Sequence, residues 1–314
     1  MLKRYLLLFV VLLALLPEVR AQYDPSFSHY WAMETSFNPA AAGKDPKLNV
    51  NGAYNMTLTG FEHYPKTMYI STDMPFYFIG AYHGVGVQVV NDVIGLFSHK
   101  KVNVQYAYKQ RLLGGTLSIG LQGGLLSESF DGSGVDLETN DGTDLAFSKA
   151  EVTGSGFDLG AGLYYLHRNW YVGLSAQHLT SPTVDLGETN ELTISRSYYF
   201  TGGYNIRLRN PFFTIQTSVL GRTDGVAYRG DVTARLKYSY EKRLLYAGLS
   251  YSPTNSVSVL VGGHFHGVMV GYCYEAYTSA ISLGNGGHEL FVGYQTDIDF
   301  AKKGRNRHQS VRIL

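Results

Sequence analysis

From Leu48 onward, large apolar residues recur at every second position and stand opposite small or polar ones. Val102, Val104, Tyr106 and Tyr108 alternate with Asn103, Gln105, Ala107 and Lys109. Leu117, Ile119 and Leu121 oppose Ser118, Gly120 and Gln122, and Trp170, Val172, Leu174 and Ala176 oppose Tyr171, Gly173, Ser175 and Gln177. In the last apolar stretch Leu290, Val292, Tyr294, Ile298 and Phe300 share one face, against Phe291, Gly293, Gln295, Asp297 and Asp299. A period of two means strands, because successive side chains point to opposite faces. A soluble β-sandwich would alternate too, but its outer face would carry Lys, Glu and Thr. Here the second face is mainly Gly, Ser, Asn and Gln, so hydrocarbon is the natural partner of the apolar, aromatic face. The pattern predicts an all-β chain forming an antiparallel transmembrane β-barrel.

Strands are predicted near 48–56, 66–76, 79–91, 98–111, 115–126, 155–166, 169–178, 196–208, 211–221, 229–240, 243–252, 255–264, 266–276 and 288–300, about fourteen in all. An even number puts both barrel ends on the same side of the membrane. The two longest polar connections, 127–154 and 181–195, both follow odd-numbered strands and so share the extracellular side, where long barrel loops belong. Charged residues fall on the second face or at strand ends, as they must when a lipid-facing Arg or Lys at mid-membrane costs about 2–4 kcal/mol.

Targeting and composition agree. Lys3 and Arg4 precede the apolar run Leu6–Leu16, and Val19-Arg20-Ala21 offers a small-residue cleavage site before Gln22, the pattern of a secretory signal peptide over 1–21. Nothing after it approaches the ~20 consecutive apolar residues of a helical span. Charged residues make up 16% of the chain, below the ~25% usual for soluble domains. Of 314 residues, 25 are Tyr, a side chain suited to membrane interfaces. A net charge of +1 argues against nucleic acid as a partner. The single cysteine, Cys273, excludes an intramolecular disulfide and a zinc framework. The expected organisation is a signal peptide over 1–21, an N-terminal arm over 22–47, the barrel over 48–300 and a basic tail over 301–314.

The arm is broken by Pro25, Pro39 and Pro46, yet it carries Tyr23, Phe27, Tyr30, Trp31 and Phe37. Those rings need burial, and fourteen strands enclose more space than their own side chains fill. The arm is therefore expected at the mouth of the barrel or inside it. In the tail, Lys302, Lys303, Arg305, Arg307 and Arg312 suit electrostatic contact with a periplasmic partner or an anionic lipid headgroup.

Catalytic and metal-binding patterns are weak. Asp131, Asp136, Glu138, Asp141 and Asp144 cluster around glycines, but their spacing is not that of an EF-hand and reads as an acidic surface loop. There is no G-x-S-x-G elbow and no H-E-x-x-H pair. His264 and His266 flank a predicted turn. No enzyme, cofactor or metal is expected. His288-Glu289 opens the closing strand after Asn285-Gly286-Gly287, and local chemistry leaves structural registration and partner contact equally open there.

Two sets of residues carry a family resemblance. The start Gln22-Tyr23-Asp24-Pro25-Ser26-Phe27-Ser28, followed by Asn38-Pro39-Ala40 and Ala42-Gly43, resembles the N-terminal signature of the PorP/SprF family of type IX secretion system membrane proteins from Bacteroidetes. Gly271-Tyr272-Cys273-Tyr274-Glu275 and Gly286-Gly287-His288-Glu289 resemble that family's closing motifs. Segments between them fall in the expected order, and the pattern is most similar to PorP-type members. Three features depart from it: Gly60–Pro65 lacks the Arg and Trp of many relatives, Cys273 stands where Ser is common, and the basic tail runs past the usual end. The resemblance implies an integral outer-membrane barrel working with a type IX translocon. Its implied partners are outer-membrane lipid, secretion proteins including a periplasmic lipoprotein ring, and secreted cargo or gliding adhesins. A general diffusion porin or small-molecule channel is the alternative that the residues leave open.

Overall fold

The computed structural model describes residues 23–132, 151–187, 190–241, 243–253, 255–278 and 286–297. The signal peptide, most of the acidic loop and the tail cations Lys302, Lys303, Arg305, Arg307 and Arg312 lie outside these residues.

Among the described residues the strands are β1 (Lys47–Met56), β2 (Lys66–Phe78), β3 (Ala81–Ile94), β4 (Phe97–Leu112), β5 (Gly115–Asp131), β6 (Glu151–Leu166), β7 (Trp170–Gln177), β8 (Thr183–Leu186), β9 (Asn190–Thr193), β10 (Ser197–Arg207), β11 (Phe213–Thr223), β12 (Tyr228–Tyr240), β13 (Arg243–Ser252), β14 (Ser256–Phe265), β15 (Val268–Tyr277) and β16 (Gly287–Asp297). All but β8 and β9 form one closed barrel of fourteen strands, each antiparallel to its neighbours. The seam joins first strand to last, from Lys47 opposite Asp297 to Met56 opposite His288. Closure leaves no edge strand, which a chain in hydrocarbon requires because an unpaired backbone group there costs several kcal/mol.

The predicted faces are the observed ones. Val102, Val104, Tyr106, Leu121, Leu174, Phe200, Leu249, Val292 and Tyr294 are exposed on the outer wall, whereas Asn103, Gln105, Gln122, Gln177, Thr201, Ser250 and Phe291 are buried inside. Most strand bounds shift by a few residues, and the largest change is at β5 and β6, which extend together to the pair Asp131 and Glu151, so the connection between them is shorter than 127–154. Ladder hydrogen bonds continue there although the side chains have become polar.

The second difference concerns 181–195, expected as an open loop. It contains the hairpin β8–β9, whose Val184 buries with Ile194 just beyond it and with Leu126 of β5. Two four-residue strands are too short for alternation to reveal, and burial against the barrel mouth is what holds them. The hairpin folds over the end of the barrel that carries the long connections. At the opposite end the strands are joined by tight turns such as Ile79-Gly80, Leu113-Gly114 and His266-Gly267, all at positive φ.

Inside the barrel, the arm from Tyr23 to Pro46 runs from the long-loop end to the start of β1 at the short-turn end. Two short 3-10 turns, Glu34–Ser36 and Pro39–Ala41, shape it. Asn38 caps the second: its side-chain oxygen accepts from the Ala40 N–H at 2.9 Å, and its amide donates to the Leu163 carbonyl at 3.0 Å. The chain can lie against the wall here because the wall is glycine. A Cβ on Gly84 of β3 would sit 1.9 Å from the Ala42 carbonyl oxygen, and one on Gly120 of β5 would sit 2.2 Å from the Ala40 nitrogen.

Backbone faces backbone at Gly84, so neither side can yield. Gly84→Val should therefore lower the temperature of heat-modifiable unfolding on SDS gels, with a loss of about 3 kcal/mol, the upper end for overpacking. Gly230→Val is the control, since a Cβ there meets nothing within 4 Å, and it should leave that temperature unchanged.

Candidate functional site: the arm-filled lumen

The site is built where the arm meets the inner wall. At the long-loop end Asp24 is the hub. Its carboxylate takes Lys101 Nζ at 2.8 Å, His178 Nε2 at 3.1 Å and the Tyr199 hydroxyl at 2.7 Å, while Arg222 donates to its backbone carbonyl at 3.0 Å. His178 lies 2.9 Å from Asp158 through its other ring nitrogen, and its turn sits in the left-handed region at φ 56°. Tyr23 donates its hydroxyl to Glu128, which also engages His99. Four strands and the turn after β7 thus converge on two arm residues.

One turn further in, the arm meets the seam. Glu289 of β16, 2% exposed, accepts the backbone N–H groups of Ser28 at 2.6 Å and His29 at 2.9 Å, and contacts His29 Nδ1 at 2.6 Å. The His29 ring stacks on Phe291 at 5.3 Å and reaches the Tyr246 hydroxyl through Nε2 at 2.9 Å. Asn55, which pairs with Glu289 across the seam, donates to the Ser26 carbonyl at 2.8 Å. Hydrogen bonds to a charged group are worth about 1.5–3 kcal/mol each, so the closing strand and the arm hold one another.

The arm aromatics are distributed around the lumen. Phe27 buries with Ala53, Tyr69, Val90 and Phe291. Tyr30 donates to the Ser218 carbonyl and to Thr233 Oγ1, both at 3.0 Å. Phe37 stacks on Tyr199 at 5.6 Å, and its carbonyl accepts from Ser175 at 2.6 Å and Gln177 at 2.7 Å. Tyr23 and Trp31 are half-buried, and the Trp31 ring lies 3.4 Å from the Arg235 guanidinium.

The other singled-out residues divide between faces. Asn38, Pro39 and Glu275 are buried, and Gly43 holds φ 62° while donating its N–H to Asp73 at 2.8 Å. Glu275 bonds Ser256 and pairs with Arg229 at 3.3 Å. Tyr272 and Tyr274 are on the outer wall, where Tyr272 meets His288 at 2.7 Å. His264 faces inward on β14 and His266 occupies the following turn; among the described residues no group of His, Cys, Asp and Glu is arranged to hold a metal. Cys273 is buried on the inner face beside Leu260 and Tyr246.

The inner face carries charge, as alternation assigns it, among its Gly, Ser, Asn and Gln. Lys101, Glu128, Asp158, Arg222, Arg229, Arg235, Glu275 and Glu289 all point inward, and most meet an arm residue or each other. Periodicity assigns these residues to the inner face but not to partners, because the partners lie on strands far away in sequence.

A closed fourteen-stranded barrel with an apolar outer wall and a chain segment bonded through its lumen defines an integral outer-membrane β-barrel protein. A family model described as "Type IX secretion system membrane protein PorP/SprF" matches residues 19–294. The chain belongs to that family, and is an outer-membrane component of type IX secretion. No curated protein matches the sequence. Among solved structures it is similar to the CymD monoaromatic hydrocarbon channel, with a TM-score of 0.51, 10% identity, and 85% of this chain and 93% of that one covered. It is also similar to the P. putida toluene transporter TodX, with a TM-score of 0.45, 11% identity, and 83% and 92% covered. At these identities the likeness is one of fold.

The Asp24 hub has a pH signature. Burial alone would raise the Asp24 carboxyl, but Lys101 and His178 outweigh it and hold it well below the ordinary 3.8. Burial alone would lower His178, but Asp24 and Asp158 push it up to about 9 from 6.5. A raised histidine contributes its full stability below 6.5 and loses it as pH rises to about 9, while the lowered aspartate loses its contribution only as pH falls below 3.8. The protection of amides in residues 23–30, taken relative to the intrinsic base-catalysed exchange rate at each pH, should be greatest between those limits and fall from pH 6.5 to 9. His178→Gln should abolish that alkaline loss of protection; an unchanged profile would remove His178 from the hub.

Proposed function

We propose that this protein is a non-enzymatic, plugged anchor of the type IX machinery, holding translocon, periplasmic ring or cargo proteins at the outer membrane. The observation that carries the reading is the arm: its bonds to strands around the barrel fill the lumen where a conducting pore would need open space. A rigid barrel closed to small solutes can stay in the membrane beside a protein-conducting machine without leaking. The sequence beyond β16 carries the cations Lys302, Lys303, Arg305, Arg307 and Arg312, which suit an electrostatic contact with a periplasmic partner. Delivery of gliding adhesins is the variant of this role in which the partner is a secreted surface protein.

The second reading is a small-molecule channel. It draws on the fold shared with the CymD hydrocarbon channel and on open space in the short-turn half of the lumen, where one cavity measures about 380 Å³. The arm in the other half weighs against it.

Deleting residues 23–45 should raise single-channel conductance in a planar bilayer by at least about tenfold, because a fourteen-stranded wall then encloses an aqueous passage. Equal conductance with and without the arm would sink the plug. Disruption of the gene should abolish secretion of type IX cargo while leaving sugar uptake intact, the reverse of what a channel predicts. Neutralising Lys302, Lys303, Arg305 and Arg307 should reduce co-purification of periplasmic partners, with the barrel still heat-modifiable. Undiminished recovery at low salt would exclude the tail as the contact.

A further inference from the structure

The short-turn half of the lumen holds a feature that plugging does not use. Arg235 of β12 is 6% exposed, yet among the described residues no carboxylate pairs with it, and its Nε has no hydrogen-bond partner. Its guanidinium lies over the Trp31 ring, 3.4 Å from the centroid, and the Trp31 Nε1–H is itself buried without a partner. Both side chains line a cavity of about 370 Å³. Lys237, two residues along the same inner face, lines that cavity too and has no ion pair among the described residues. A buried guanidinium without an anion is costly, and proteins normally supply the partner.

The acid nearest in charge effect is Glu34 of the arm, and it is committed elsewhere. It pairs with Lys44 and accepts from the Tyr164 hydroxyl at 2.9 Å. It makes no ion pair with Arg235, and its second oxygen has no partner and can accept an N–H. The rest of the wall adds Lys44 and Asp45 of the arm, the apolar Leu166, Leu244 and Met269, and a polar stretch in which Asn205 and Gln216 stand beside Tyr171. The cations Lys44, Arg235 and Lys237 thus outnumber the carboxylates Glu34 and Asp45. Asn205 and Gln216 already bond one another at 3.1 Å and keep further donors and acceptors for a ligand backbone.

We propose that this vestibule is a binding site for an acidic peptide segment entering from the short-turn end. Arg235 takes a side-chain carboxylate through its planar fork, Lys237 supplies a second cation nearer the opening, and the amides and Glu34 bond the peptide backbone. The volume suits a few residues, since pockets of about 300–1,000 Å³ enclose ligands of that size. A second cavity of about 380 Å³ shares Trp31, Glu34, Lys44 and Asp45 as walls and gives an entering chain room to continue. Inorganic phosphate could meet the same two cations, but it would leave the amide wall and most of the volume unused. The barrel wall stands between the cavity and the bilayer, so a lipid headgroup has no lateral route and the way in is from the short-turn end. The site stands on the lumen's geometry and does not depend on the type IX role.

Trp31 makes the site observable. With Trp170→Phe, Trp31 is the only tryptophan in the chain. The full chain in detergent should show a saturable change in Trp31 fluorescence with a hexaglutamate peptide, weakening as salt rises. Arg235→Gln should weaken binding by about 10–100-fold, the range for a lost charged hydrogen bond. Lys237→Gln, nearer the rim and less able to disturb folding, should weaken it by a smaller factor with heat-modifiability unchanged. A hexalysine peptide should give no response, and inorganic phosphate at the same charge concentration should bind far more weakly. Hexaglutamate binding that is absent, that phosphate matches, or that both variants retain would overturn the assignment.

Discussion

The hold of Glu289 on Ser28 and His29 is the interaction from which the rest of the molecule follows. Glu289 sits on the last strand, opposite Asn55 on the first, so the carboxylate and amide of one seam pair grip consecutive parts of the arm. A buried carboxylate without partners would be prohibitive in a lumen walled from water. With three donors from the arm it becomes a tie between closure of the barrel and occupation of its interior. With the arm elsewhere Glu289 loses these three donors, so the arm adds to the stability of a seam that the β1–β16 ladder itself closes.

This tie explains the two sets of signature residues as one structural unit. Asn38-Pro39 and Gly43 shape the lower arm, with glycines on the facing strands admitting it at backbone distance. Glu275 and Glu289 stand on the last two strands and reach inward to Arg229 and to the arm. Tyr272, Tyr274 and His288 face outward at the same level, where a ring with a polar tip suits the membrane interface. Alternation therefore splits one short motif between two solvents, with the acids inside and the aromatics outside.

The arm also divides the lumen into unequal halves. Toward the long loops, charged side chains find partners in the Asp24 hub and the hairpin β8–β9 covers them. Toward the short turns, Arg235 and Lys237 line open space. The arm thus pairs the charges of one half and leaves a cavity lined by Arg235 and Lys237 in the other.

The barrel is legible in the amino-acid pattern alone, since a period of two, an apolar and aromatic outer face and the lack of a helical span after the signal peptide admit little else. Strand number was legible for the same reason, since each strand reports its own faces locally. The arm's need for burial was legible from its rings. The identity of the inner partners was not, because Asp24 with His178, Tyr30 with Ser218, and Glu289 with His29 are separated by 154, 188 and 260 positions. Only the closed tertiary structure decided those, by bringing every strand's inner face around one axis and placing the arm along it. Even the free charge of Arg235 is a tertiary fact: in the sequence it is one alternating residue among many, and in the barrel no carboxylate pairs with it among the described residues.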